Sequence, residues 1–426
     1  MPESRETPPS LLVLDTSYTL EMIYERGIEN SVLCRDLDGF FRHVWSVHPF
    51  ASLLTSDGWS ARFGRPVTYE MSPRHTFIEG KAGRSAVLKH LFPFNFMVAQ
   101  ASLFRRLRSL IRQEGIEVIR AGDPLYLGLF GLMLARTTGV PLVIRVNGNN
   151  QRIRATTGSP LFPRLFRYQK IEERIERFVL SRADMVAAPN QENADYAVAF
   201  GAPSDRVTIF RYGNLLADEH LVAPERRSLD QSLFERLKIR PRNYLLSIAR
   251  LMEVKFVGDA LEAFAEVRKR GFDVDLVYAG DGPMRSQLED RAQALGIAEY
   301  VRFIGNQNQR SLAQLNAQAG AVLSPSTGRA LAESALGAAP IVAYDVDWQP
   351  ELIETGKTGE LVPFRRHDLL AGGAIKMLSD PDYAARVGRG ARARALEMLD
   401  PSELNDHERR EYAKLLASFR PAATLA

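Results

Sequence analysis

Cysteine is almost missing: Cys34 is the only one among 426 residues. A lone thiol excludes a disulfide framework and a cysteine-built zinc site, and it points to a reducing compartment. Long apolar runs are missing too. No stretch reaches the roughly 18 consecutive apolar residues of a membrane-spanning helix. The opening MPESRETPPS carries neither the basic nor the apolar region of a signal peptide and reads as a frayed tail. Internal repeats and low-complexity tracts are likewise lacking. What is present is ordinary: 45% hydrophobic and 25% charged residues, with chain enough for two or three domains.

The net charge of +4 conceals an asymmetry. Residues 61–190 hold 21 Lys/Arg against 9 Asp/Glu, whereas the first 60 residues hold 4 against 9. The first half therefore favours anions or an anionic surface.

Short β-branched runs alternate with helical patterns along the whole chain. LLVLD (11–15), VWSV (44–47), PLVIRV (141–146), DMVAA (184–188) and VTIF (207–210) form one series. YLLSIA (244–249), VDLVYAG (274–280), AVLS (321–324), PIVAY (340–344) and GELVP (359–363) form a second. Continuous apolar strands separated by amphipathic helices predict parallel sheets covered on both faces. A polar, irregular stretch near 216–242 separates the two series. The expected domains are 1–222, 223–400, and a closing helix within 401–426 that returns to the first. Ligands in such sheets sit beyond the carboxyl ends of the strands.

Three segments of the second series carry chemistry. SIARLMEVKF puts Arg250 and Lys255 just past a strand, where two cations suit a diphosphate; the alternative is a pair of solvated surface charges. YAGDGPMRSQLE makes a tight turn through Gly280 and Gly282, either a structural turn or half of a dinucleotide fingerprint. SPSTGRALAESALGAAPIVAYD runs from a strand through a small-residue loop into a helix expected to begin near Thr327–Gly328. Free amides there can hold phosphate or sugar oxygens. Glu333 lies within that helix among apolar residues, where a ribose diol or an internal salt bridge would partner it.

Taken in order with VRFIG (301–305), PELIETGKTGELVP (350–363) and the closing ERREYAKLLA helix (408–417), these segments resemble the retaining GT-B glycosyltransferases of family 4. The resemblance covers about 243–417. It implies an α/β chain of the GT-B type, two doubly wound Rossmann-like domains facing across a cleft. It also implies a nucleotide-sugar donor held by the C-terminal domain. Arg250 and Lys255 would grip the diphosphate, with Gly282, Gly328, Arg329, Ala330 and Leu331 around it and Glu333 on the ribose. That family usually places a further Glu eight residues before the ribose Glu, where this chain has Pro325. Neither a metal nor a cofactor is expected, and Asp345-Val346-Asp347 reads as loop rather than as a metal–diphosphate signature.

The first half is poorer in motifs. Many family members carry a His–Gly pair where this chain has Asn147-Gly148, which together with His48 form the acceptor-side candidates. Asn can position a hydroxyl but cannot transfer protons. His48 reads either as a satisfied buried histidine or as an acceptor contact. Asp123 reads either as a helix cap or as a carboxylate at a strand end, and it joins Arg250 and Lys255 as a catalytic candidate.

The basic segments 104–113, 151–158 and 161–178 mix cations with apolar residues and are expected to meet an anionic membrane or a lipid-linked acceptor. Nucleic acid is not expected, because Glu172, Glu173 and Glu176 interrupt the basic surface. The reading is a cytoplasmic sugar transferase at the inner membrane face acting on an envelope glycolipid or polysaccharide. A nucleotide-sugar 2-epimerase and a non-catalytic binding protein of the same fold are the alternatives.

Overall fold

A computed structural model describes residues 7–56, 61–163, 165–211, 216–326 and 328–419. The chain divides into two units. The first comprises Met1–Arg154, Ser159–Arg211 and Ser402–Ala426; the second comprises Tyr212–Pro401 with Ala155–Gly158. The division falls after Arg211 rather than at 222. The reason is packing: Leu216 lies in the core of the second unit, and His220 hydrogen-bonds Gln309 there at 2.8 Å.

In the first unit the described strands are β1 (Ser10–Leu14), β2 (His43–His48), β3 (Val67–Ser72), β4 (His75–Glu79), β5 (Val118–Ala121), β6 (Leu142–Arg145), β7 (Met185–Ala188) and β8 (Val207–Ile209). They form one sheet in the order β3-β4-β2-β1-β5-β6-β7-β8. All neighbouring pairs run parallel except β3 with β4. The direction of winding reverses between β1 and β5, which places a crevice at their carboxyl ends.

The inner strands are mostly apolar and buried because helices cover both faces, with polar residues such as Ser46, Arg120 and Arg145 among them. The β3–β4 hairpin lies outside the runs read as strands from the sequence. Strand β3 is a largely exposed edge whose residues VTYEMS alternate apolar and polar, with Tyr69 and Met71 partly buried on a small cluster around Leu20, Ile23 and Phe77. The helix Phe92–Gln113 buries Ala99, Leu103, Leu107 and Ile111, one residue per turn.

The closing helix Pro401–Ser418 covers the opposite face. Tyr412 meets Phe41 edge to face at 5.1 Å and lies 5.7 Å from Phe210. Burying an aromatic or aliphatic side chain of this size contributes about 1.5–3 kcal/mol. The lone Cys34 sits next to Arg35 in this unit. Burial pushes its thiol up to about 11, so it offers no thiolate at neutral pH.

The second unit contains β9 (Tyr244–Ile248), β10 (Asp275–Ala279), β11 (Val301–Phe303), β12 (Ala321–Ser324), β13 (Ile341–Tyr344) and β14 (Glu360–Val362). Their order is β11-β10-β9-β12-β13-β14, with every pair parallel. The first three strands wind one way and the last three the other, a Rossmann-type order that reverses between β9 and β12. Two apolar clusters, one on each face, sandwich the sheet.

Candidate functional site

Strand β9 delivers its loop to the crevice at the reversal. The loop's shape is fixed by backbone contact with the turn after β10. The Leu251 amide donates to the Asp281 carbonyl at 3.0 Å, and the Met284 amide donates to the Leu251 carbonyl at 3.0 Å. A Cβ on Gly282 would lie 2.4 Å from the Leu251 carbonyl oxygen, closer than real Cβ atoms come. Gly282 therefore acts by allowing the two backbones to touch. Between these contacts Arg250 is exposed, its guanidinium 3.8 Å from the Met252 sulfur. Lys255 closes a short 3-10 turn, Glu253–Lys255, that ends at Phe256 in the left-handed region (φ 51°). Phe256 is held there by an edge-to-face contact with Phe364, ring centroids 4.9 Å apart.

Strand β12 delivers the second loop. Gly328 has φ +65°, which favours glycine, and the Lys255 Nζ stands 3.4 Å from where its Cβ would be. The two loops thus converge at neighbouring strand ends. The helix begins later than the sequence suggests: it spans Ala330–Leu336, and Thr327 lies outside the described residues. The left-handed Gly328 delays the first helical turn. Leu331 does not offer its amide, which donates to the Gly328 carbonyl at 3.2 Å. The amides of Arg329 and Ala330 precede that first bond. Glu333 is buried, 5% exposed, and its Oε1 lies 3.6 Å from the Arg329 Nε. The internal salt bridge weighed for it is therefore present, on a side chain that also lies in the first turn of the helix, where a carboxylate suits the dipole.

Two residues that the sequence reading passed over hold the β12 loop in place. The Trp348 indole donates to the Gly328 carbonyl at 3.1 Å. Gln349 is buried; it accepts from Ser324 Oγ at 2.5 Å and donates to the carbonyls of Pro325 and Tyr344 at 3.2 and 2.9 Å. Its amide is fully engaged, and Pro325 is present there as a carbonyl acceptor. The only sequence signal was a Trp-Gln pair just ahead of the PELIETG segment. In the Asp345-Val346-Asp347 loop, the Asp345 amide donates to the Val362 carbonyl at 2.8 Å. Among the described residues no group of three or more His, Cys, Asp or Glu is placed to hold a metal ion.

The first unit gathers its candidates at the carboxyl ends of β1, β2, β5 and β6. Asp123 Oδ1 accepts from the amides of Leu125 and Leu127 at 2.7 and 3.3 Å, so the capping role is real. Burial nevertheless outweighs those bonds and pushes its carboxyl up to about 7. Asn147 donates to the Gly122 carbonyl at 3.0 Å, which ties it to the loop that carries Asp123. A Cβ on Gly148 would meet only Ile153 at 3.7 Å, an ordinary contact, so packing does not require glycine there.

His48 is fully buried. Its Nδ1 accepts from the Phe50 amide at 3.3 Å, which puts the proton of the neutral ring on Nε2. Burial lowers its pKa to about 4, with Asp15 pulling the other way. Asp15 was not singled out from the sequence, although it too follows a strand. Burial would raise its pKa, but Arg35 at 2.5 Å and the Ser17 amide lower it to about 2.

The basic segments are engaged more than expected. Arg154 is buried against Glu172 and Glu176, with its Nη2 2.6 Å from Glu176, and Tyr196 donates to the same carboxylate at 2.8 Å. Arg106 holds the Pro66 carbonyl at 2.7 Å, and Arg177 stacks over Phe200 at 4.5 Å. These cations stabilise the unit itself, Arg154 from within and Arg106 and Arg177 from exposed positions.

The first unit's stretch 25–213 matches the glycosyl transferase 4-like domain, and 230–394 matches glycosyl transferases group 1. The chain belongs to the GT-B glycosyltransferases of the family-4 type. It is 28% identical to an alpha-D-kanosaminyltransferase of Streptomyces kanamyceticus over 61% of this chain and 67% of that one. It is 26% identical to a GDP-mannose-dependent alpha-(1-6)-phosphatidylinositol monomannoside mannosyltransferase of Mycolicibacterium smegmatis over 74% and 81%. In fold this glycosyltransferase matches Anabaena Alr3699/HepE, solved in complex with UDP and glucose, at a TM-score of 0.70 and 17% identity, covering 95% of this chain and all of that one. It also matches WaaG, a glycosyltransferase involved in lipopolysaccharide biosynthesis, at 0.63 and 15%, covering 94% and 98%.

Proposed function

We propose that this glycosyltransferase moves a sugar from a nucleoside-diphosphate donor to a cell-envelope glycolipid or polysaccharide acceptor, without a metal and with the anomeric configuration retained. One observation carries the donor half of this reading: the Lys255 ammonium stands 3.4 Å from the Gly328 Cβ position, where the β9 and β12 loops meet. A cation beside a turn that leads into a helix is a place for a diphosphate. Arg250 on the same loop supplies a second cation, the Arg329 and Ala330 amides supply neutral donors, and Glu333 reaches the ribose. Relatives point the same way in their names, one being GDP-mannose-dependent and one fold neighbour binding UDP and glucose.

In the step we infer, the bond from the sugar's anomeric carbon to the diphosphate oxygen breaks. The electron pair leaves with the diphosphate. The acceptor oxygen forms the new bond on the same face, and its proton passes to the departing diphosphate. Arg250 and Lys255 stabilise the charge that develops on the leaving group. Asp123 and Asn147 belong to the acceptor side, where a carboxyl titrating near neutrality can take part in proton exchange and an amide can position a hydroxyl, while the fully buried His48 supports the strand end behind them.

The test is Lys255→Ala. Losing a charge-assisted contact to phosphate removes about 1.5–3 kcal/mol, so affinity for the cognate nucleoside diphosphate falls roughly 10–150-fold in calorimetry. Turnover at saturating donor falls as well. Near-normal turnover in that variant would overturn the donor site, and an inverted anomer in the product's NMR spectrum would overturn the retaining step.

A further inference from the structure

The most exposed large apolar side chains of the described chain are concentrated in one short stretch. Val87 is 87% exposed, Met97 70%, Phe94 61% and Leu91 59%. They belong to the 3-10 turn Ala86–Leu91 and the first turns of the helix Phe92–Gln113. That helix already spends its inward stripe on Ala99, Leu103, Leu107 and Ile111, which leaves Phe94 and Met97 on the outer side. The stretch is not loose. Asn95 is fully buried, accepts from the Arg84 and Ser85 amides and donates to the Ser85 carbonyl, while Phe96 packs near Phe50 and Tyr126. A rigid base therefore holds an apolar face in water, which costs solvation and marks an interaction surface.

Charge selects the occupant. From residue 80 to residue 113 there is no Asp or Glu, but there are seven Lys or Arg. Lys89 lies within the apolar face. Phe94, Met97 and Ala101 run into Arg105 at helical spacing on the exposed side. A second copy of the chain docking there would bring like charges together. An anionic bilayer accepts both components: the apolar tips enter the acyl boundary and the cations meet lipid phosphates. Phe50 follows β2 and Tyr126 follows β5, so this face stands at the carboxyl rim of the first unit's sheet, beside His48 and Asp123.

We infer that the face made by Val87, Leu91, Phe94 and Met97, with Lys89 and Arg105, docks the protein on an anionic lipid surface. This extends the proposal of an envelope acceptor but does not depend on it, because docking is read without donor or acceptor.

The experiment is flotation of the purified full chain with phosphatidylcholine vesicles, with and without phosphatidylglycerol. Wild type floats with the phosphatidylglycerol vesicles and stays behind with the neutral ones. The double variant Phe94→Ser/Met97→Ser partitions at least about tenfold less, because two exposed apolar anchors are gone. Its circular dichroism and melting are unchanged, since both side chains are solvent-exposed. Lys89→Ser/Arg105→Ser weakens flotation and flattens its salt dependence. The proposal is overturned if wild type ignores anionic vesicles, or if Phe94→Ser/Met97→Ser floats as well as wild type. It is also overturned if wild type is a dimer that this variant dissolves, which would assign the face to a second copy. Loss of transfer with intact flotation would count against the acceptor reading alone.

Discussion

Asp123 and His48 pull the stability of the first unit in opposite directions as pH changes. Burial raises the Asp123 carboxyl from 3.8 to about 7, so the folded state holds a proton that the unfolded chain has released. Its contribution to stability is present below about pH 4 and is lost as pH rises to 7. Burial lowers His48 from 6.5 to about 4, so its contribution is present above 6.5 and is lost as pH falls to 4. The two slopes offset one another in the wild type. Asp123→Asn keeps an oxygen to accept from Leu125 and Leu127 but cannot ionise. The melting temperature of this variant relative to wild type should therefore climb steadily between pH 4 and pH 7. A flat difference across that range would refute the elevated pKa.

At the scale of elements, the donor loops are held by other loops. Arg250 owes its position to the Asp281–Pro283 turn, and Gly328 owes its position to Trp348 beyond β13. Gly282→Ala tests the first dependence. The new Cβ would overlap the Leu251 carbonyl, at a cost of about 1–3 kcal/mol in displaced backbone. Nucleoside-diphosphate affinity should fall together with the melting temperature, although position 282 keeps its amide. Unchanged affinity would mean that the β9 loop holds its shape without this contact.

The same scale shows what sequence patterns carry. Continuous runs such as YLLSI and IVAY were recognisable as buried parallel strands because both of their faces must be apolar. The β3–β4 hairpin was not, since an edge strand such as VTYEMS buries only alternate residues and forms no continuous apolar run. Arg250 and Lys255 were legible as a pair of cations after a strand. Their convergence with Gly328 was not, because more than seventy positions separate them along the chain.

For the whole molecule, the proposed mechanism uses protein cations and amides where another architecture would use a divalent ion. Chelation of divalent ions with EDTA should leave the transfer rate unchanged, measured by release of the nucleoside diphosphate. Loss of activity restored by Mg²⁺ or Mn²⁺ would overturn this assignment. The charge asymmetry survives in the fold: buried Arg154 is matched by two buried carboxylates, Glu172 and Glu176, so this group removes no cationic excess from the surface of the first unit.

The sequence by itself determined the fold class, the order of the two sheets and the family, because apolar runs and loop motifs are local and survive in linear order. The tertiary structure decided which of the singled-out residues act together. It set Lys255 against Gly328, gave Gly282 a packing role, and turned Asp123 and His48 into groups with displaced titration. Each of these depends on burial or on contact between distant segments. Neither is written in the local pattern of the chain.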